Sequence, residues 1–277
     1  MFVRSLLPLA SLVVAMSTIL SAICSTAAAA VADSSQTRSP LIIAHRGGRR
    51  WAPENTLAAF KRSVDAHVDG IELDIHRCKT GELIVIHDET LQRTTNGAGL
   101  VKDKTLAELK SLDAGSWYKP EFKDERLPLL SEVLDLVDGK CSVNVEIKDT
   151  PIAYPGIDDA LIELLSHYKY PEKIIVSSFD HAILKSFHAK APQYKVGFLD
   201  AAIPASIGEY AQIVGATAWN PDYEVLRTDA VTDAHAAGLK IFTWTVNKPE
   251  EWNKLNKMGV DGIITDDPVG AIEALRK

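Results

Sequence analysis

Short apolar segments alternate with longer amphipathic segments from Leu41 to the end of the chain. The short segments are rich in β-branched residues and predict strands, and the amphipathic ones predict helices. The nine candidate strands are Leu41–His45, Gly70–His76, Leu83–His87, Ser142–Lys148, Lys173–Ser177, Lys195–Leu199, Thr217–Asn220, Lys240–Val246 and Gly262–Thr265. The candidate helices are Thr56–Val68, Ser131–Val137, Ile157–His167, His181–Lys190, Thr228–Ala237, Pro249–Met258 and Pro268–Leu275. Strands and helices at this spacing predict a parallel sheet, and about eight such units close into an α/β fold of the TIM type, a (β/α)8 barrel.

Such a barrel has places for eight strands, so we expect one candidate to be wrong or to lie outside it. The weakest candidate is Thr217–Asn220. The link from His76 to Leu83 is too short for a helical crossover, so the second unit is expected to be degenerate. Residues 90–128 are rich in glycine, charge and turn signals, with one short helix near Leu106–Leu109. They predict a small insertion after the third strand, where active-site covers often grow.

Single residues mark the ends of several predicted helices. Asn55 is a suitable N-cap for the first helix. Gly238 and Gly259 are suitable residues for ending two later helices. These signals support the alternation read from the apolar pattern.

The composition is that of an ordinary soluble globular protein, with 46% hydrophobic and 24% charged residues. A length of 277 residues suits a single α/β barrel domain. The formal net charge of -7 argues against a nucleic-acid partner held by a general basic field. A local basic site for a smaller anionic substrate is compatible with this charge.

The first thirty residues differ from the rest of the chain. Arg4 is the only charged residue before Asp33, Leu6 to Ile23 is mostly apolar, and Ala27 to Ala30 are small. This pattern predicts a secretory signal peptide over residues 1–30. We therefore expect an exported protein, periplasmic or secreted, that keeps no stable membrane span after cleavage.

The remaining chain divides into a linker over residues 31–40 and the barrel domain over residues 41–277. An uncleaved membrane anchor is one alternative to the signal peptide, because the apolar stretch is long enough to span a bilayer. Lipid attachment at Cys24 is another. The mature chain keeps Cys78 and Cys141, a pair that suggests a disulfide in an exported protein. The predicted strands place them at opposite ends of the sheet, beyond the roughly 7 Å that such a bond spans, so we expect free thiols.

Ionisable side chains at the ends of four predicted strands are the most informative feature. In GIELDIHRCK, strand alternation places Glu72, Asp74 and His76 on one face. In SVNVEIK, it places Glu146 and Lys148 together. With the apolar faces turned to the helices, these side chains point inward, where a packed interior would not tolerate them without partners.

The carboxylates of Glu72, Asp74 and Glu146 are predicted to converge near the carboxyl-terminal mouth of the barrel. Like charges held so close repel, and their burial is costly. A divalent cation would offset both effects. Carboxylate ligands favour the hard ions Mg²⁺ and Ca²⁺ over zinc.

Positive and titratable groups are predicted at the same rim. Arg46 and Lys148 suit an anionic group such as phosphate. His45 and His87 end neighbouring strands and suit general acid and general base catalysis near neutral pH. His76 lies further out and ranks below them. Each of these features alone has an ordinary structural explanation, and it is their convergence from four strands that predicts an active site.

Sequence segments in their order along the chain resemble the glycerophosphodiester phosphodiesterase family. The segments are AHRG, APENTLAAF, IELDIH, VIHDETLQRTTNGAG, DAGSWYKPEF, LPLLSEVL, VNVEIK, SSFDH, WTVN and GVDGIITDDP. The resemblance covers the chain from Leu41 to the C-terminus. It implies an α/β barrel of the phosphatidylinositol-phospholipase-C-like kind, a divalent metal, and hydrolysis of a phosphodiester to glycerol 3-phosphate and an alcohol.

The resemblance also implies catalytic and metal-binding roles for five residues. His45 and His87 correspond to the family's acid and base, although their order of action stays open. Glu72, Asp74 and Glu146 correspond to its metal ligands. The nucleophile is either the substrate's own glycerol hydroxyl, which would give a cyclic phosphate, or water.

Substrate contacts are implied in the same way. Arg46 corresponds to the family's phosphate-contacting residue, Lys148 to the lysine of its Glu-x-Lys motif, and Trp244 to a pocket aromatic. Periodicity alone would place Trp244 on the opposite face from its two neighbours. Arg49 and Arg50 make the first loop more basic than the family leads us to expect.

Two other functions are consistent with the sequence. A lipid-directed phosphodiesterase of the lysophospholipase D or sphingomyelinase D type would need an apolar entrance, which Trp117, Tyr118 and Phe122 of the insertion could supply. A non-catalytic protein that binds phosphodiesters is the more distant alternative, because such a barrel would be expected to lose a histidine or a carboxylate. The preferred head group, the choice between Mg²⁺ and Ca²⁺ and the oligomeric state are left open.

Overall fold

A closed ring of parallel strands forms the centre of the structure, a computed structural model that describes residues 39–276. Within this range the strands are β1 (Leu41–Ala44), β2 (Gly70–Arg77), β3 (Leu83–Val85), β4 (Ser142–Ile147), β5 (Ile174–Ser178), β6 (Lys195–Asp200), β7 (Ala218–Pro221), β8 (Lys240–Thr243) and β9 (Gly262–Thr265). The ring runs β1-β9-β8-β7-β6-β5-β4-β2 and closes through the pairing of β1 with β2. This confirms the predicted (β/α)8 barrel.

Helices follow most strands and cover the outside of the ring. They are α1 (Leu57–Asp65), α2 (Leu106–Lys110), α3 (Leu130–Val137), α4 (Ile157–Ser166), α5 (His181–Lys190), α6 (Ile207–Val214), α7 (Thr228–Ala236), α8 (Pro249–Met258) and α9 (Pro268–Leu275). The apolar strand positions Ile71, Leu73 and Val145 are fully buried in the same cluster as Phe60 and Leu134 from the helices. The other set of strand positions therefore faces the barrel interior, as the alternation predicts.

The segment outside the ring is β3, and the prediction that Thr217–Asn220 was the weakest strand candidate was wrong. This part of the chain forms β7, which pairs in parallel with β6 and β8. In contrast, β3 pairs antiparallel with β2. The physical reason is the short link that follows β2, where Gly81 has a φ of 107° and its N–H donates to the Cys78 carbonyl. A hairpin of this length reverses the chain and cannot cross over to a parallel neighbour.

Three further sequence predictions need correction. The apolar pattern did not predict α6, a short helix whose second residue is Gly208. The strand predicted over Lys240–Val246 ends at Thr243. The side chain that caps α1 is Thr56, which accepts the N–H of Ala59, and not Asn55. Asn55 has a φ of 57° and uses its side chain in the functional site described below.

The insertion after β3 has a small core of its own. Leu91, Val101 and Leu109 pack with Ile84 and Ile86 in a cluster separate from the main core. An isolated bridge between Thr90 and Leu100 and the short α2 give this segment its local structure. The insertion is therefore held by its own apolar contacts at the mouth of the barrel.

Other predictions concern the cysteines and the membrane. Cys78 and Cys141 are buried free thiols, as expected, and pack in different hydrophobic clusters. Within residues 39–276, none of the helices combines the length and the apolar character that crossing a bilayer requires. The predicted signal peptide over residues 1–30 and Cys24 lie outside the described residues.

Candidate active site

A cavity of about 110 Å³ opens at the carboxyl-terminal ends of the ring strands. Seven of the eight predicted site residues line it: His45, Arg46, Glu72, His87, Glu146, Lys148 and Trp244. The eighth, Asp74, joins Glu72 and Glu146 in one carboxylate cluster. The structure thus brings all eight side chains to one place, while their roles stay predictions.

The carboxylate cluster is the most constrained part of the site. One oxygen from each of Glu72, Asp74 and Glu146 lies within 4.8 Å of the others. All three side chains are buried, and Asp74 stands directly beside Glu146 in the register of β2 and β4. Burial raises the pKa of Glu72 well above its ordinary value, and the other two carboxylates raise it further. Burial also raises the pKa of Glu146 to about 7, although Lys148 opposes that shift.

Two basic side chains offset part of this negative charge. Lys148 Nζ lies 2.6 Å from Glu146 Oε1 and 3.3 Å from Asp74 Oδ1. Arg46 Nε lies 3.6 Å from Asp74 Oδ2, and Asn55 donates a hydrogen bond to the same oxygen at 2.8 Å. Burial opposes the ionisation of Asp74, but the charges of Lys148 and Arg46 outweigh it and hold the pKa of this carboxyl well below its usual range. The compensation therefore favours Asp74 and leaves Glu72 the least stabilised anion of the three.

His45 is held in one orientation by an aspartate. Its Nδ1 lies 2.6 Å from Oδ1 of Asp266, and its Nε2 accepts the Nε–H of Arg46 at 3.2 Å. These two contacts fit a neutral ring with the proton on Nδ1. Burial lowers the pKa of His45, against the opposing effect of Asp266. The nitrogen on the side away from Asp266, Nε2, is therefore unprotonated.

His87 has an equivalent arrangement on the other side of the cavity. Its Nδ1 lies 2.7 Å from Oδ1 of Asp88. Burial lowers the pKa of His87, but less of its side chain is shielded, with 30% exposed against 12% for His45. His76 holds the backbone of this residue. Its Nε2 contacts the His87 carbonyl at 3.0 Å, and its Nδ1 contacts the Tyr154 hydroxyl at 2.8 Å. Burial lowers the pKa of His76 to about 4, so it acts as a neutral structural residue.

The two glycines after Arg46 let the chain turn away from the cavity. Arg46, Gly47 and Gly48 all have positive φ, at 50°, 79° and 84°. A Cβ on Gly47 would lie 2.8 Å from the Cβ of Ala59, and one on Gly48 would lie 2.6 Å from the ring of Trp51. Glycine is needed here for both conformation and space. The turn directs the Arg46 backbone N–H to Oε2 of Glu72 at 2.9 Å.

An apolar wall faces the charged groups across the cavity. Phe179 and Trp244 meet edge to face with ring centroids 5.3 Å apart, beside Leu199 and Ile264. The indole N–H of Trp244 donates to the Asn220 carbonyl at 2.7 Å, which fixes the ring. Trp244 pairs with Asp222 in a parallel bridge just past the end of β8, and it packs with Phe242, two residues earlier, in the cluster inside the barrel, so strand alternation carries its ring into the cavity.

The aromatic residues of the insertion do not form part of this cavity. Phe122 is buried, and Tyr118 packs with it and with Trp51 in a separate small cluster. Trp117 is 40% exposed, and its indole N–H donates to the Ala114 carbonyl. This placement does not favour an apolar entrance for acyl chains, as the lipid-directed alternative would require.

Sequence reasoning missed several residues that shape the site. Asp266 directly follows β9, so the same strand-end criterion that selected His45 would have found it. Phe179 follows β5 in the same way. Glu54 and Arg93 lie in loops, and the apolar pattern offers no signal for either.

The model of the glycerophosphoryl diester phosphodiesterase family matches residues 45–269. The chain belongs to this family. A curated glycerophosphodiester phosphodiesterase of Caldanaerobacter subterraneus subsp. tengcongensis is 44% identical over 238 residues, which are 86% of this chain and 98% of that protein. A Bacillus subtilis glycerophosphodiester phosphodiesterase is 36% identical over 249 residues, 82% of this chain and 84% of that protein. The chain is therefore an enzyme of the phosphodiesterase class.

Solved structures of the family share the fold. A phosphodiesterase of Oleispira antarctica, in complex with the product sn-glycerol-3-phosphate, has a TM-score of 0.80 and 31% identity, over 86% of this chain and 97% of that one. The glycerophosphodiester phosphodiesterase of Agrobacterium tumefaciens has a TM-score of 0.73 and 28% identity, over 83% of this chain and 97% of that one. These matches confirm the family resemblance and the barrel.

Proposed function

We propose that this enzyme hydrolyses small glycerophosphodiesters to glycerol 3-phosphate and an alcohol, with the help of one divalent cation, Mg²⁺ or Ca²⁺. The observation that carries the proposal is the cluster of Glu72, Asp74 and Glu146 beside His45 and His87 in one cavity. The names of the relatives and the product bound to the Oleispira enzyme support this substrate class.

The donor set fits a hard divalent ion. Three buried carboxylates provide oxygen ligands, which Mg²⁺ and Ca²⁺ prefer. The raised pKa values of Glu72 and Glu146 indicate that Lys148 and Arg46 alone leave these anions short of positive charge. When bound, a divalent cation supplies Lewis-acid polarisation of a phosphoryl oxygen.

Arg46 and Lys148 bind and orient the phosphate group in this proposal. Both line the cavity and both are held by buried carboxylates, Arg46 by Glu54 and Lys148 by Glu146. Fixed cations of this kind stabilise negative charge as it develops on phosphoryl oxygens. Trp244 contacts the carbon atoms of the substrate from the apolar wall.

His45 is the proposed proton acceptor and His87 the proposed proton donor. The contacts of His45 with Asp266 and Arg46 leave its Nε2 unprotonated, which suits a general base. His45 then takes a proton either from the substrate's own glycerol hydroxyl or from water. His87 in its protonated form, with Nδ1–H held by Asp88, delivers its Nε2 proton to the departing alcohol oxygen. On the cyclic route, water then opens the ring to give glycerol 3-phosphate. Phosphorus NMR during turnover separates the two nucleophiles, because only the first gives a cyclic phosphate.

Release of glycerol 3-phosphate from glycerophosphocholine tests the proposal directly. We expect the purified enzyme to release it, EDTA to abolish the release, and Mg²⁺ or Ca²⁺ added to the stripped enzyme to restore it. Lysophosphatidylcholine in the same assay tests the lipid-directed alternative, and we expect much slower turnover of that substrate. An enzyme that works equally well after complete removal of metal would contradict the role of the carboxylate cluster.

A substrate with a good leaving group tests the assignment of the two histidines. Nitrophenol departs without needing a proton, so a nitrophenyl ester of glycerol 3-phosphate bypasses the general acid. We expect His87→Ala to lose far less activity on this ester than on glycerophosphocholine. His45→Ala should lose activity on both substrates. The opposite pattern would exchange the two roles.

Export of the enzyme is proposed from the N-terminal sequence. The apolar stretch from Leu6 to Ile23 and the small residues Ala27 to Ala30 support a cleaved signal peptide. N-terminal sequencing of the protein from the periplasm or the culture medium should begin near residue 31. A mature protein that retains residue 1 would contradict this proposal.

A further inference from the structure

Arg93 joins two parts of the active site without lining the cavity. Its Nε and Nη2 donate to Asp88 at 2.6 and 2.9 Å, and its Nη1 and Nη2 donate to Glu54 at 3.0 and 2.8 Å. We propose that Arg93 is a positioning residue, which aligns the acid His87 and the phosphate-binding Arg46 at the same time. This inference rests on the proposed function, because it assumes that both of those residues act on the substrate.

The first contact of Arg93 acts on His87. Asp88 Oδ1 lies 2.7 Å from His87 Nδ1 and also accepts from Arg93 Nη2. Asp88 follows His87 in a loop, and its side chain is partly exposed, so the histidine alone would not fix its rotamer. The bidentate bond from Arg93 fixes the carboxylate plane and, through it, the direction of the imidazole.

The second contact acts on Arg46. Glu54 is only 3% exposed in its side chain, and its Oε1 accepts from both Arg46 Nη1 and Arg93 Nη2, each at 2.8 Å. The hydrogen bonds from Arg93 and the charges of both arginines outweigh burial and lower the pKa of Glu54. Glu54 is therefore a buried anion that two arginines hold by hydrogen bonds, while Arg49 Nε lies further away, 3.9 Å from Oε2. Arg46 is the one that faces the cavity, and Arg93 supports the anion from the insertion side.

The insertion is what holds Arg93 in place. Leu91 is buried in the small core of this segment, and the backbone N–H of Thr95 donates to the Leu91 carbonyl. Arg93 thus extends from a packed turn and not from a free loop end. Only a planar guanidinium can bridge two carboxylates in this bidentate way, and a lysine would act as a single point charge.

Kinetics of Arg93→Gln and Arg93→Lys on glycerophosphocholine test the inference. We expect Arg93→Gln to lower kcat by about 10²-fold, because small errors in the placement of catalytic groups have effects of this size. Arg93→Lys should recover part of the loss, since it keeps the charge but not the bridge. Arg227→Gln, which removes an exposed arginine paired with Asp229, is the matched control and should retain the full kcat.

Fold integrity is measured beside activity. Circular dichroism and thermal unfolding give the folded fraction of each variant, and kcat is expressed per folded enzyme. Arg93→Lys is the deciding variant if Arg93→Gln does not fold, because it keeps the charge that Glu54 and Asp88 need. A kcat per folded enzyme equal to that of Arg227→Gln would overturn the proposal.

A double-mutant cycle separates positioning from a general structural effect. In the Asp88→Ala background the His87 contact is already lost, so Arg93→Gln should cost much less in kcat than in the wild type. The same holds for KM in the Glu54→Ala background, where the Arg46 contact is already lost. If the effects of the two single changes on kcat and on KM simply multiply in the double variants of both cycles, the inference is overturned. A wild-type enzyme without activity would instead refute the proposed function, so the two failures are distinguishable.

Discussion

Carboxylates lie at both ends of the barrel, half-buried at the amino-terminal end and buried at the mouth, and their partners differ. At the amino-terminal end, Asp261 bonds to Lys240 at 2.6 Å, to His235 at 2.8 Å and to the backbone N–H of Ile241 at 3.0 Å. Asp69 accepts the N–H of Ile42 and pairs with Arg276. Each of these anions has a cation and a backbone donor of its own.

At the carboxyl-terminal mouth, anions crowd together instead. Glu72, Asp74 and Glu146 share Lys148 and Arg46 as cations, and the compensation falls mainly on Asp74. Carboxylates held close to like charges are relieved by protonation or by a bound cation, and such perturbed groups are typical of functional sites. The mouth therefore has the unbalanced charge that the proposed metal site requires.

The size of a surface depression does not reveal this difference. The amino-terminal end carries a groove of about 820 Å³ lined by Asp69, Lys140 and Cys141, among others. The cavity at the mouth is only about 110 Å³. The smaller site holds the unbalanced charge and the two proposed catalytic histidines. Unbalanced charge, rather than volume, distinguishes the two ends.

Replacing a histidine at each end should give the sharpest contrast. We expect His45→Ala or His87→Ala to lower kcat by about 10² to 10⁴-fold, the range for loss of a general acid or base. His235→Ala, which removes the partner of Asp261, should leave kcat unchanged. Steady-state kinetics with glycerophosphocholine checks this, alongside circular dichroism. Near-normal turnover in both mouth variants would remove the catalytic assignment.

Removing one negative charge from the mouth should have opposite effects on activity and stability. Glu72→Gln should abolish the response to added Mg²⁺ or Ca²⁺, because a proposed metal ligand is lost. In metal-free, mildly alkaline buffer, the same change should raise the free energy of unfolding by about 1 kcal/mol, since it relieves repulsion and the burial of an anion. Urea denaturation in the presence of EDTA measures the effect. A loss of stability would show that the cluster is balanced without a metal.

Much of the site could be predicted because it lies on regular strands. Alternation fixes which way Glu72, Asp74 and Glu146 point once β2 and β4 are recognised, and the barrel brings the two strands together. Functional side chains at the ends of strands could also be predicted. Asp266 directly follows β9 and fits the same rule, although it was not among the predicted site residues. Family resemblance, and not periodicity, identified Trp244.

The remainder depends on tertiary contacts that no local pattern encodes. Arg93 and Glu54 meet across 39 positions of sequence, from two loops without periodicity. The short link after β2 indicated that no helix could cross over to β3. The same short link also implies that β3 runs antiparallel to β2, a direction that was not predicted from the sequence. The short α6 was missed because Gly208, a poor helix former, stands in its first turn. Loops that position charged groups are thus the least predictable part of this molecule.

Changing the apolar wall should have a smaller effect than changing the charged groups. Trp244→Leu keeps an apolar side chain but loses the ring and its bond to Asn220. We expect KM for glycerophosphocholine to rise several-fold while kcat changes little, because the proposed contacts of this residue are with substrate carbon atoms away from the phosphate. Trp117→Leu in the insertion is the matched control and should leave KM unchanged. A change in kcat alone would indicate that the wall positions the reacting groups.

The smallest expected effect concerns the satisfied charge at the amino-terminal end. Asp261→Asn should lower the free energy of unfolding by about 1 kcal/mol and leave kcat intact, since the change weakens its bonds to Lys240 and His235. Although burial opposes it, these bonds lower the pKa of Asp261. Its contribution to stability is therefore present above the unfolded pKa of about 4 and is lost as the pH falls through the lower folded value. Urea denaturation should accordingly show the difference from wild type at neutral pH and its decline in acid.

Asp65→Asn, which removes an exposed pair with Lys61, is the control with a change of only a few tenths of a kcal/mol. A gain in stability in Asp261→Asn would mean that both ends of the barrel hold uncompensated charge, and the contrast between them would fail.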